Sequence, residues 1–207
     1  RVCVDSHYFE TYNKPNVNLV NVKEHPVEEI TPEGLIQNGQ HYKFDMIIYA
    51  TGFDAMTGSL LKIDIEGKNG LSLQEKWHAG PRTYLGLCSS GFPNLFTVSG
   101  PGSPSVLSNM IITIEQHVNW IIDCMTHLRD SKLSTIEALE DAENDWVDLT
   151  NEIANGTLFP TCNSWYLGAN VPGKPRIFMP FVGGFPTYAE ICADVAEQNY
   201  RGFELTA

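Results

Sequence analysis

The sequence predicts an α/β fold, on three observations. An apolar, β-branched run from Met46 to Ala50 has the length of a buried strand and breaks abruptly into Thr51-Gly52. Further short apolar runs bounded by Gly, Pro and Asn fill the first half of the chain, as strands and their turns do. From Leu107 onward apolar residues recur every three or four positions, which is the period of a helix face.

Taken in order, Val17 to Val22 ("VNLVNV") alternates apolar and polar side chains and predicts a half-buried strand. Gly34 to Gln37 and Tyr42 to Phe44 flank "NGQ", a hairpin turn signal. After the Met46 to Ala50 strand, "LLKIDIEGKNGLSL" (60–73) predicts a strand closed by Gly67 and Gly70. "TYLGLCSS" (83–90) and "NLFTVSG" (94–100) predict two more, split by "GFPN". Leu107, Ile111, Ile114, Val118, Ile121, Met125 and Leu128 then form one stripe of a helix of about six turns, which must dock on a large surface. Ser134 with Glu137 three residues later has a capping-box pattern and predicts a second helix, ended by Gly156 and Pro160. Residues 157–176 have no period and predict a long loop of the kind that usually carries function. A strand at "IFMPFVGG" (177–184) and a helix from near Thr187 complete the chain.

The chain has 207 residues, with 13 Lys and Arg against 25 Asp and Glu, a formal net charge of -12. That excess of acid disfavours nucleic acid and anionic membranes as partners, since both carry the same sign. No apolar run reaches the ~20 residues that span a bilayer, and "RVCVDSHYFE" lacks the features of a signal peptide, so a cytoplasmic setting is expected. The five cysteines are scattered without C-x-x-C and are expected to be reduced thiols. The six histidines show no metal-ligand spacing, and no metal site is expected. Residue 1 is not Met and the start has no cap or polar lead-in, so the chain reads as cut inside a larger protein.

Several segments could carry chemistry. In "SGPGSPSVLSNM" (99–110), a Gly/Pro/Ser loop delivers a helix N-terminus, whose free N–H groups and dipole suit a carbonyl or an anion. The alternative is a plain connection in which Ser105 or Ser108 caps the helix. Thr51-Gly52 can bring backbone close to a ligand or simply turn the chain. Arg1, Lys174 and Arg176 are candidate phosphate or oxyanion partners, or solvated surface charges. Trp165 in the irregular loop can cover a bound ring or anchor the loop to the core. No G-x-G-x-x-G occurs, although a strand ending like Met46 to Ala50 is often paired with one.

Four separated motifs, "IIYATGFDAMTG", "GPRTYLGLCSSGFPNLFTVSGPGSPSVLSNM", "IEQHVNWI" and "SWYLGANVPGKPR", together resemble the C-terminal part of the FAD- and NADPH-dependent type I Baeyer-Villiger monooxygenases. The resemblance covers essentially the whole chain, and the "GPGSPS" loop is most similar to the phenylacetone monooxygenase type. It implies a fold of two dinucleotide-binding domains. Residues 1–45 would be the tail of the NADP-binding domain, and residues 46–207 the C-terminal part of the FAD-binding domain, with a control loop at about 157–174. Ala50-Thr51-Gly52 would be the return from one domain to the other.

The resemblance also implies roles for individual residues. Arg1 would be the catalytic cation and touch cofactor. Thr51, Gly52, Asn109, Met110, Trp165 and Lys174 would contact FAD or NADP(H). Ser105, Val106 and Leu107 would shape the substrate pocket. The implied reaction inserts one oxygen atom of O2 beside a ketone carbonyl through a C4a-peroxyflavin, giving an ester or lactone. Both glycine fingerprints and the family's F-x-G-x-x-x-H-x-x-x-W signature are absent here, so the chain is expected to depend on an upstream half of the same protein and to be inactive without it. Oxidation of amines or sulfides, as in flavin-containing or N-hydroxylating monooxygenases, and a non-catalytic interaction module are the alternatives.

Overall fold

A computed structural model describes residues 4–207, which divide into two compact units, one ending at Thr51 and the other running from Gly52 to Ala207. The first unit holds a short helix, α1 (Tyr8–Thr11), and an antiparallel meander of β1 (Val27–Thr31), β2 (Gly34–Gln37) and β3 (Gln40–Lys43). The turn between β2 and β3 is Asn38-Gly39, with φ of 49° and 68°. Two successive positive φ values match the strand twist, which is why Asn-Gly reads so clearly as a hairpin. Gln37 pairs with Gln40 and Gly34 with Lys43.

Two strands expected in this unit do not form. Residues 17–22 and 46–50 are not in a strand, and Leu19, Met46, Ile48 and Tyr49 are exposed. A strand exists only against a neighbour that completes its hydrogen bonds, and among the described residues neither segment has one.

The second unit contains α2 (Leu73–Lys76), α3 (Met110–Asp130), β4 (Thr135–Ala138), α4 (Glu140–Asn155), α5 (Phe185–Glu197) and β5 (Phe203–Thr206), with β4 and β5 antiparallel. Its main core gathers Tyr84, Leu87, Trp120, Cys124, Ile136, Trp146, Phe181, Tyr188, Cys192 and Phe203 between α3, α4, α5 and the β4–β5 pair. Gly184 at the N-cap and Pro186 in the first turn start α5 close to the expected Thr187.

Residues 60–73, 83–90, 94–100 and 177–184 are not strands. Left-handed φ at Leu85, Gly86, Asn94 and Ser99 breaks extended backbone inside the two central segments, leaving an isolated Tyr84–Cys88 bridge. Residues 60–73 break at Asn69 (φ 57°) and Gly70 (φ 76°) and keep a single bridge, Glu66–Ser72. Residues 177–184 hydrogen-bond a loop instead of a strand, and Pro180 lacks a donor.

The expected capping box is also corrected. Ser134 N–H donates to Thr206 O at 2.8 Å in line with β4, and the Glu137 carboxylate accepts from Gly91 N–H at 3.0 Å and ion-pairs with Lys68. The second long helix starts five residues after Ser134's expected cap, with Leu139 as its N-cap and Glu140, Asp141 and Glu143 against its positive end. Gly156 ends it as expected.

The long helix forms where expected but turns a different face inward. Its buried residues are Thr113, His117, Trp120, Cys124 and Leu128. Of the expected stripe, Leu128 alone is buried, and Ile111, Ile114, Val118 and Met125 face outward.

Candidate active site

The loop "SGPGSPS" (99–105) is held from several sides. His117 on α3 accepts the Ser99 N–H at Nδ1 over 2.9 Å, so its proton sits on Nε2 and points to Tyr188 Oη at 2.8 Å. Tyr188 in turn donates to Leu85 O at 2.6 Å. This chain of bonds runs from α5 through α3 to the loop, with His117 and Tyr188 fully buried, and desolvation pulls the His117 imidazole down to about 4.

Trp146 on α4 donates from Nε1 to Gly102 O at 3.1 Å, and Thr83 donates to Pro101 O at 2.6 Å. Gly102 N–H donates to Met179 O and Phe181 N–H to Ser103 O, each at 2.7 Å. Gly102 has a φ of 84°, and a Cβ there would lie 2.9 Å from Thr83 Oγ1 and 3.1 Å from Trp146 Nε1. Only glycine satisfies both the backbone angle and the close approach.

This clamped loop delivers the substrate-pocket candidates. Ser105 is buried with a φ of 44° and begins a 3-10 turn through Leu107. Its hydroxyl points to Met56 Sδ at 3.3 Å. Val106 and Leu107 are half-buried, and Leu107 packs on the cluster of Ala154, Leu167 and Phe178. Asn109 is the N-cap of α3, its Oδ1 accepting from Ile111 N–H at 3.1 Å, and Met110 is the first helical residue, half-buried. The helix therefore starts with its positive end beside the Ser105 turn.

The segment after Gly52 meets the irregular loop. Lys174 Nζ ion-pairs with Asp54 and donates to Ala55 O at 3.2 Å, and Asn170 Nδ2 donates to Phe53 O at 2.8 Å. Gly52 itself is exposed with a φ of 80°. Trp165 opens a 3-10 turn at Trp165–Leu167, stacks on Tyr166 with ring centres 4.1 Å apart, and keeps about a third of its surface in solvent. Leu167 of that turn shares the apolar cluster with Leu107.

Residues 52–56, 105–110 and 164–174 thus come together through Met56–Ser105, the Asp54–Lys174 and Phe53–Asn170 clasp, and the Leu107–Leu167 cluster. Lys174 holds the loop to its neighbour instead of standing free. Thr51 is exposed at the end of the first unit, Arg176 is exposed on the surface of the second, and Arg1 lies outside the described residues. Sequence reasoning missed Met56, Asp54, Asn170 and His117. No local pattern marks an ion pair across 120 positions, although His117, with Thr113, breaks the apolar inward face of α3 and is a visible signal.

No protein-family model matches the chain. Cyclohexanone 1,2-monooxygenase of an Acinetobacter species is 39% identical over 99% of this chain, and phenazine N-monooxygenase of Lysobacter antibioticus is 38% identical over 99%. The solved structure of an oxidized steroid monooxygenase bound to NADP is 49% identical, covers 100% of this chain and superposes with a TM-score of 0.85. The chain spans only about two fifths of the length of these relatives, 38%, 37% and 39% respectively. With four motifs in family order and a matching fold, the chain is similar along its whole length to part of the Baeyer-Villiger monooxygenases.

Proposed function

We propose that this chain is the C-terminal part of an FAD- and NADPH-dependent cytoplasmic enzyme that converts a ketone and O2 into an ester or lactone. The observation that carries the reading is the convergence of the Ser105–Met110 turn, the 52–56 segment and the Trp165 loop at the positive end of α3. A flavin ring suits that place: its carbonyl edge is electron-rich, the helix start offers N–H groups, and Met110 and Ile111 offer apolar surface. The steroid monooxygenase relative is a complex with NADP, which supports the second nucleotide. When bound, the flavin supplies the activation of O2 and is reduced by NADPH.

The chain's own residues bind, orient and exclude water. Asn109 and Met110 hold the ring edge, while Ser105, Val106 and Leu107 shape the space for the ketone. Ser105 is fixed by Met56 and the clamped loop, so the pocket wall is preorganised. Trp165 covers the nicotinamide nucleotide and keeps water from the reacting atoms, and Lys174 sets the loop's position through Asp54. Arg1, the catalytic cation that the resemblance implies, lies outside the described residues. Thr51 and Gly52 carry the chain from an NADP domain ending near residue 45 to the FAD domain.

The test is product identity. The complete polypeptide, supplied with FAD, NADPH and cyclohexanone, should give the lactone with one NADPH consumed per product. Formation of an N-oxide from an aromatic amine heterocycle, with no lactone, would replace this reading by the one favoured by the phenazine N-monooxygenase relative.

A further inference from the structure

We propose that the cavity between α4 and the irregular loop is a binding site for a small organic carboxylate, distinct from the ketone pocket, whose occupant holds the loop against the helix. The cavity has a volume of about 360 Å3 and lies within the second unit. Arg82, Arg176, Asn151 and Asn155 line it, together with apolar residues that include Leu167 and Phe178. The chain carries 25 acidic residues against 13 basic ones, yet two guanidiniums and no carboxylate line this space.

The four polar side chains keep donors for a ligand. Arg82 is firmly mounted: its carbonyl accepts from Trp77 Nε1 at 2.9 Å and from Ser89 Oγ at 2.8 Å, and its guanidinium donates to Asn144. That uses one of five N–H groups. The nearby acid, Glu143, lies 3.8 Å from Arg82 Nε and is already paired with Lys76 at 2.8 Å, so the three groups together carry one positive charge. Arg176 adds a second, and has no ion pair or hydrogen bond of its side chain among the described residues. Asn151 and Asn155 stand one turn apart on α4, and their amides likewise make no side-chain hydrogen bond there.

This lining selects the chemistry of the occupant. Guanidiniums bind a carboxylate through paired N–H donors, and the amides can complete its shell. The apolar lining would be wasted on a bare inorganic anion and suits a hydrocarbon body. At the lower end of the volumes that hold ligands, the cavity takes one ring or a short chain and has no room for a dinucleotide.

Ser105, Val106 and Met110 do not line this cavity, and Leu107 meets it only through the cluster of Ala154, Leu167 and Phe178. The placement has a consequence for the loop. Pro160, Leu167 and Arg176 come from the loop's two ends and its middle, whereas Asn151 and Asn155 belong to a 16-residue helix. A carboxylate bridging the two favours the conformation in which the loop rests on α4.

Calorimetric titration of the complete polypeptide with benzoate tests the site, with benzamide as the neutral analogue and inorganic phosphate as the bare anion. Benzoate should bind in the millimolar range or tighter, and the other two at least about tenfold more weakly. Arg176→Ala should weaken benzoate at least about tenfold, and Arg176→Lys, which keeps the charge without the fork, should weaken it less. Saturating benzoate should also slow chymotryptic cleavage at Phe159, Trp165 and Tyr166 in the native sequence and not in Arg176→Ala. Absence of binding, equal binding of benzamide, or binding indifferent to Arg176→Ala overturns the proposal. Phosphate binding as tight as benzoate overturns the organic carboxylate in favour of a bare anion, and unchanged cleavage overturns the hold on the loop. Binding and cleavage are read without turnover, so these results stand whether or not the protein oxidises ketones.

Discussion

Acidification should weaken this fold through one buried imidazole. His117 is fully buried, accepts from Ser99 N–H, and is held at a pKa of about 4 by desolvation, against 6.5 in the unfolded chain. The folded state therefore stays neutral at this site while the unfolded state takes up a proton. Stability is fully present above pH 6.5 and falls as the pH drops from there, levelling off below about 4. The full span is worth about 3.4 kcal/mol, of which about 2 kcal/mol appears between about pH 7.5 and pH 5. For a chain of this length that is a melting shift of about 4–8 °C.

The measurement is thermal unfolding at both pH values for the native sequence and for His117→Phe. The variant costs about 1–3 kcal/mol at neutral pH, since the Ser99 amide loses its acceptor. It should also lose about 2 kcal/mol of the acid sensitivity. Equal acid sensitivity in the two proteins would refute the assignment of a neutral, buried His117.

Other perturbations follow from the same contacts. Gly102→Ala forces a Cβ against Thr83 and Trp146 at a φ of 84° and should lower stability by about 2 kcal/mol or more in a denaturant titration, with Trp146 fluorescence reporting displacement of the loop. Glu143 is fully buried between Lys76 at 2.8 Å, Arg82 at 3.8 Å and the Ser90 N–H at 2.9 Å. Glu143→Ala should cost about 3 kcal/mol or more, and Glu143→Gln less, because the amide keeps an acceptor for Ser90. Lys174→Ala removes the clasp on Asp54 and should expose residues 157–174 to limited proteolysis with a change of less than about 1 kcal/mol in global stability, since the pair is partly solvent-exposed. Unchanged cleavage in that loop would show that Asn170 and the Leu107–Leu167 cluster hold it unaided.

The legible features were those that local chemistry decides. Asn38-Gly39 needs no distant partner to turn a hairpin, Gly184 and Pro186 start α5 from their own backbone preferences, and the 3.6-residue period drew α3 at nearly its full length. The site's pieces were equally legible as motifs. Residues 83–89 form a buried loop, where burial makes the residues apolar without alternation, residues 94–100 form a partly exposed one, and left-handed residues do the turning in both. Ser134 and Glu137 imitated a helix cap because a strand residue can use the same side chains for distant partners, here Gly91 and Lys68.

By itself, then, the amino-acid sequence determined α3, α5 and the end of α4, the hairpin and the family motifs, all of which depend on neighbours within a few positions. The tertiary structure decided which face of α3 turns inward, which apolar segments find a strand partner, and that Asp54 meets Lys174 and Met56 meets Ser105. The reason is physical: a period reveals that a helix has an apolar face, but α3 has two adjoining ones, and only the packing of α4, α5 and β5 selects between them.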